Sequence, residues 1–200
     1  VTVIPGWKRG APMDMEIFRR LASRRYSDTQ RLLAIIVQGL LFGALGPLAV
    51  VFLSLFLDRK LGLAGFRGEL MAVIFGVLFV IEGFAFAAWT VVTQCRIGQG
   101  TPSPLMPTRR LVVEGPFAFC RNPMTFGTFF FYLGVSLLAG SPMAVAVTTF
   151  LFSLLMVYIK TIEEKELETR FGAEYLAYRD RTAFIIPRRL TRHRPPCGPR

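Results

Sequence analysis

Two short polar clusters in this chain carry residue types that can hold a small charged ligand. The first is a turn-rich run, Gly115-Pro116 followed by Arg121-Asn122-Pro123-Met124; the second is the acidic pair Glu163-Glu164. Proline at the first position of a helix leaves Asn122 as N-cap and turns the unpaired N–H groups of the first turn outward. An anion, such as the carboxylate of an amino-acid-like cofactor, fits that positive helix end, and Arg121 adds charge. An ordinary cap with a headgroup-bound arginine accounts for the same residues. The carboxylates of Glu163 and Glu164 can accept hydrogen bonds from ribose hydroxyls, pair with an ammonium group or offset a sulfonium charge. Their alternative is a solvated helix surface with a Lys160–Glu164 pair.

Other residues extend these clusters. Gly98, Gly100 and Gly115 permit close backbone approach to a ligand, although turn glycines in a plain loop look the same. Leu167, Phe171, Tyr175 and Tyr178 recur at helical spacing, an aromatic stripe that either roofs a substrate pocket or packs. Gly172 is expected to divide that helix. Glu82 stands inside an apolar run, where a carboxylate faces a cavity or a partner, or is hydrogen-bonded within a bundle. Arg121 and Glu82 are thus the candidate catalytic groups.

The elements that must position these residues are membrane helices. Of the 200 residues 52% are hydrophobic and only 18% charged, with 19 Phe and a mean hydropathy of +0.46, more apolar than a soluble core of this size needs. Apolar runs cover 32–57, 70–92, 124–139 and 143–159. The first two are long enough to cross a bilayer; the last two suit a tight hairpin turning at Gly140, Ser141 and Pro142. Gly46 and Pro47 should kink the first. The expected fold is all-α: an integral membrane bundle of about four transmembrane helices.

Charge orients it. The chain is basic, +11 net, but its Lys and Arg lie between and beyond the apolar runs, which favours anionic headgroups over nucleic acid. All but the three in the 58–69 loop fall on one side, so the positive-inside rule places both termini and the 93–123 loop in the cytoplasm. No cleavable signal peptide is visible, and the first run reads as a signal anchor. Four regions follow: a basic segment 1–31, either an interfacial helix or a basic tail; two spans in 32–92; a binding core with a helical hairpin in 93–187; and a basic disordered tail in 188–200. Cys95, Cys120 and Cys197 form no CxxC and an odd count, so neither a metal site nor a disulfide framework is indicated.

The succession GTPSP, LVVEGPF, RNPM, IEEKEL, FGAEYLAY and IIPR, spread over 98–188, resembles the isoprenylcysteine carboxyl methyltransferase and phospholipid N-methyltransferase group of integral-membrane methyltransferases. The resemblance implies S-adenosylmethionine held in a cytoplasmic-face pocket by Arg121–Met124 and by Glu163 with Glu164. It also implies a lipophilic acceptor (a lipid amine, a thiol or a prenylcysteine carboxylate), methylated by in-line displacement, and a bacterial inner-membrane location. Asn122 stands where carboxyl methyltransferases often carry His, Thr125 replaces a frequent Tyr, Phe117 the Tyr of GPY, and Ala118 a common Arg, which leaves the acceptor open. Two other classes compete: an NADPH-dependent reductase like the membrane sterol reductases, and a non-enzymatic transport or scaffold protein.

Overall fold

The computed structural model describes residues 27–98, 108 and 110–187. The basic segment ahead of Ser27, Gly100 and the tail beyond Pro187 lie outside the described residues. The first helix begins with a capping box: Ser27 Oγ accepts from the Gln30 amide at 3.2 Å, and Gln30 Oε1 from the Ser27 amide at 3.0 Å. It runs as α1 (Asp28–Leu40), a π turn (Leu41–Leu45) and α2 (Gly46–Leu61). The kink expected at Gly46-Pro47 takes the form of this π turn. The Gly46 amide pairs with the Leu41 carbonyl, and Pro47 has no N–H to offer Phe42. The Tyr132 hydroxyl donates instead to the Phe42 carbonyl at 2.9 Å. Gly46 makes the room, since a Cβ there would collide with that hydroxyl.

Helix α3 (Leu70–Ile97) pairs antiparallel with α4 (Pro123–Ala139) along a seam of glycines. A Cβ on Gly83 would stand 2.6 Å from the Gly127 carbonyl oxygen, and one on Gly134 2.6 Å from that of Gly76. The seven-residue interval between glycines on each helix keeps both contacts on one face, so the backbones approach without side chains between them. Phenylalanine pairs, Phe79 with Phe130 and Phe86 with Phe126, flank the seam edge-to-face.

After Gly140, at φ +63°, Ser141 caps α5 (Pro142–Tyr158). Buried Asp58, from the end of α2, accepts from Ser141 Oγ and, at 3.1 Å, from the Met143 amide. Arg67 Nε donates to the Ala139 carbonyl at 3.0 Å. The loop after α2 therefore clamps the hairpin turn. α5 does not stop at the membrane lip as its short apolar run suggests. It continues through a π turn (Ile159–Glu163) into α6 (Glu164–Phe171), and α7 (Ala173–Arg181) follows the break at Gly172, φ +55°.

Three helical segments are long and apolar enough to cross a membrane, Leu32–Leu61, Leu70–Ile97 and Pro142–Phe171, and the 17-residue α4 is a shorter apolar helix among them. Most large apolar side chains on α1–α5 face outward, the arrangement of a protein whose solvent is lipid. The compact core lies at one end instead, where Val112, Phe117, Tyr175 and Tyr178 pack with Ile97, Leu167 and Phe171.

Candidate functional site

That end gathers the C-terminus of α3, the N-terminus of α4 and everything after α5. Gly115 opens a 3-10 turn (Gly115–Ala118) at φ +61°, its α-carbon so close to Thr93 that a Cβ would lie 3.1 Å from the hydroxyl. Pro116 is fully buried, and the turn delivers Cys120, Arg121 and Asn122 to a strap formed by residues 182–187. The Arg121 amide donates to the Ala183 carbonyl at 2.8 Å. Its guanidinium donates through Nη1 to the carbonyls of Arg179 at 2.7 Å and Thr182 at 3.0 Å, and stacks over the Phe184 ring.

Through Nη2, Arg121 meets Glu164 Oε1 at 2.7 Å, with the two side chains 13% and 11% exposed. The turn before α4 and the acidic pair after α5, separated by more than forty residues in sequence, therefore close on each other. The π turn is what aims them: one extra residue per turn rotates the helix, burying Glu164 while Glu163 is half-buried beside it. Glu164 pairs with Arg121, where the neighbouring-turn alternative put Lys160.

Asn122 departs from its expected role. It occupies the N-cap position, but its side chain makes no capping hydrogen bond; Nδ2 donates to the Phe184 carbonyl at 2.9 Å. Pro123 is buried and Met124 half-buried on the first turn of α4. Gly98 ends α3, its α-carbon facing Thr108 and Val112 at the edge of the same end core.

The aromatic stripe is packing. Tyr175 and Tyr178 are 1% and 3% exposed, and the Tyr178 hydroxyl donates to the Phe117 carbonyl at 2.7 Å. Phe171 packs against this core with the Arg170 guanidinium over its ring. Of the two alternatives for the stripe, packing is the one the end core displays, with both tyrosines buried and Phe171 half-buried. Burial, and next the Glu164 carboxylate, push the Tyr175 phenol above its ordinary range; burial, and next Cys120, do the same for Tyr178. Cys120 is fully buried, and desolvation raises its thiol to about 11 against a lowering hydrogen bond from the Asn122 backbone.

Glu82 is not part of this cluster. It projects from an exposed face of α3 and is not among the residues that line the cleft between α1, α3 and α4. Sequence reasoning also missed Arg170, which is 4% exposed, pairs with Glu166 at 2.7 Å and donates to the Thr108 carbonyl. Its i,i+4 spacing from Glu166 was the available signal.

A feature the sequence did not foretell is a cleft of about 560 Å³ between α1, α3 and α4. Gly39, Gly43, Phe84 and Ala87 line it, Gln38 and Thr128 are its polar side chains, and Met124, one residue beyond Pro123, lines it too. A largely apolar space thus reaches the first turn of α4, whose N-terminal residues belong to the polar cluster. Among the described residues no group of His, Cys, Asp and Glu is placed to hold a metal ion.

In fold, the bundle is similar to a eukaryotic intramembrane Ras methyltransferase, isoprenylcysteine carboxyl methyltransferase. The match has a TM-score of 0.51 and 20% identity, covering 72% of this chain and 50% of that one. The architecture is that of the membrane-embedded methyltransferases, and the chain spans about half the length of that relative. The phospholipid methyltransferase family model matches residues 71–174, just over half of the chain, and the protein belongs to that family. No curated protein sequence matches it.

Proposed function

We propose that the protein transfers a methyl group from S-adenosylmethionine to a lipophilic acceptor lodged in the cleft. The observation that carries this reading is the Arg121–Glu164 contact at 2.7 Å, which brings the turn of one helix and the acidic pair of another together, three residues before Met124, a lining residue of the apolar cleft.

The residues present fit that cofactor. Arg121 Nε and Thr182 Oγ1 are buried polar atoms without a hydrogen-bond partner, and the first turn of α4 carries backbone N–H groups that no side chain caps. A carboxylate suits those donors, and Glu163 with Glu164 suits ammonium or ribose hydroxyl groups. When bound, S-adenosylmethionine supplies a sulfonium methyl carbon open to in-line displacement. The chain's own task is then positional: the Arg121–Glu164 pair and the strap fix the turn, and the cleft holds the acceptor out of water. A lipid amine, a thiol and a prenylcysteine carboxylate all suit such a cleft. Lys and Arg enrichment at the site end supports a cytoplasmic-facing pocket, with both termini on that side.

The test is incubation of purified protein with methyl-labelled S-adenosylmethionine and total membrane lipid, followed by identification of the labelled product. Labelled lipid, together with a raised melting temperature in S-adenosylhomocysteine, is expected. Stabilisation by NADPH and none by S-adenosylhomocysteine would transfer the assignment to the reductase class.

A further inference from the structure

No charged side chain lines the cleft between α1, α3 and α4, and its two polar ones, Gln38 and Thr128, make no hydrogen bond with any described residue. Thr128 is unusual in this. Thr90 and Thr93 on α3, Thr149 on α5, Thr161 in the second π turn and Thr169 on α6 each donate to the carbonyl four residues earlier. That is how a helical hydroxyl is satisfied where no water reaches it. Thr128 leaves its hydroxyl to the cleft instead.

The two side chains lie at about one level. The first helix and α4 run in the same direction, since Phe42 meets Tyr132 and, further along both, Asp58 meets Ser141 just past the end of α4. One turn before the Phe42–Tyr132 contact come Gln38 and Thr128, and one turn before Thr128 comes Met124, beside the polar cluster. The polar pair thus sits roughly 6 Å of helix beneath Met124. No Lys, Arg or His lines the cleft to meet a phosphate, and Arg121, three residues before Met124, is paired with Glu164. A charged group at the level of Gln38 and Thr128 would lose its water without gaining a counter-ion, whereas an uncharged oxygen finds two hydrogen-bond donors.

We propose that Gln38 and Thr128 select the acceptor: beneath the atom that takes the methyl group it carries an uncharged oxygen function, a carbonyl or a hydroxyl, where a phospholipid would carry its phosphate. The inference rests on the cleft being the acceptor's site. A carbonyl accepts from the Gln38 amide and the Thr128 hydroxyl together, and a hydroxyl donates to one while accepting from the other. Gly39 and Gly43 line the cleft beside Gln38 with open space before them, so the apolar body of the ligand can lie flat against the first helix.

The experiment is photolabelling of the full-length protein in phosphatidylcholine vesicles with four probes that carry a diazirine in the chain: hexadecanol, methyl hexadecanoate, hexadecyl phosphate and hexadecane. Mass spectrometry compares adducts on the cleft residues Phe84 and Phe131 with adducts on Phe52 and Phe150, which are exposed elsewhere on the bundle. The alcohol or the ester is expected to favour the cleft over hexadecane by about tenfold, what two hydrogen bonds contribute, and the phosphate is not. Gln38→Met with Thr128→Val, which keeps the shape of both side chains, should reduce that preference to the level of hexadecane, and Thr128→Ser alone should keep it within about threefold. Unchanged hexadecane labelling and melting temperature establish that the double variant is folded. A phosphate that labels the cleft as well as the alcohol does, an alcohol and an ester no better than hexadecane, or a double variant that keeps the preference would overturn the proposal. Preference for the alcohol or ester without stabilisation by S-adenosylhomocysteine would uphold the ligand class and remove the methyl-transfer reading. Methyl transfer to lipid without that preference would overturn the ligand class alone.

Discussion

Replacing Glu164 with glutamine separates the two properties the proposed function asks of the site, a closed cluster and a ligand-holding carboxylate. At 2.7 Å the Arg121–Glu164 attraction is about 6 kcal/mol for an effective dielectric of about 20, before the desolvation of two largely buried groups is subtracted. Breaking a fully buried pair from one side costs about 3–5 kcal/mol. Glutamine keeps one acceptor oxygen, and the Arg121 guanidinium keeps the Arg179 and Thr182 carbonyls, so the expected loss for Glu164→Gln is nearer 2 kcal/mol. For a chain of this length that is a fall in melting temperature of roughly 4–8 °C.

The effect on ligand is separable from this loss. A carboxylate that accepts charge-assisted hydrogen bonds from a cofactor contributes about 1.5–3 kcal/mol, so S-adenosylhomocysteine affinity should fall roughly 10- to 150-fold in Glu164→Gln. Titration calorimetry well below the variant's melting temperature reads this directly, because the protein is then folded. A variant that melts lower but binds S-adenosylhomocysteine as the wild type does would refute the assignment of Glu164 to the cofactor, leaving it a purely structural anchor for Arg121.

Three further outcomes follow from the geometry. Gly83→Val should prevent normal packing of α3 on α4, since its Cβ would sit 2.4 Å from the Phe131 amide nitrogen; loss of a monodisperse detergent peak checks it, whereas Gly62→Val, at a turn with open space, should cost only the strain of its positive φ. Cys120 should resist maleimide at pH 8, where a thiol titrating at about 11 is roughly one part in a thousand thiolate, and should react once denaturant exposes it. Reactivity rises with pH because deprotonation creates the nucleophile, so the native rate should increase on going from pH 8 to pH 10. Gly39→Phe, whose side chain would enter the cleft from α1 through open space, should raise the acceptor KM roughly tenfold while S-adenosylhomocysteine binding stays within twofold, and equal losses of both would dissociate the cleft from the acceptor.

What the sequence disclosed follows from the range over which its signals act. Helix identity and the apolar runs were legible because period and hydropathy are local properties, and Gly172 was readable as a break because a positive φ needs only the residue itself. The course of α5 into α6 was not: Ile159–Glu163 looks like the polar edge of a span, and whether such an edge ends a helix or tightens into a π turn depends on what Glu164 finds opposite it. The Gly76/Gly83 and Gly127/Gly134 intervals stood in the chain, yet each is half of a seam and acquires meaning only against the other.

The same logic explains why the cluster was half visible. Arg121, Asn122 and Glu164 announce themselves by type and by their place at helix ends, but hydrogen-bond partners are assigned by competition among everything nearby. Asn122 was expected to cap its own helix, the local solution. The strap offered the Phe184 carbonyl instead, a part-buried acceptor that is costly to leave unpaired. The open donors at the α4 N-terminus thus follow from how the strap is tied down, and the strap itself is held by Arg121, whose remaining partner is Glu164. Stability and ligand-readiness at this end of the bundle are set by one arginine and the atoms it can reach.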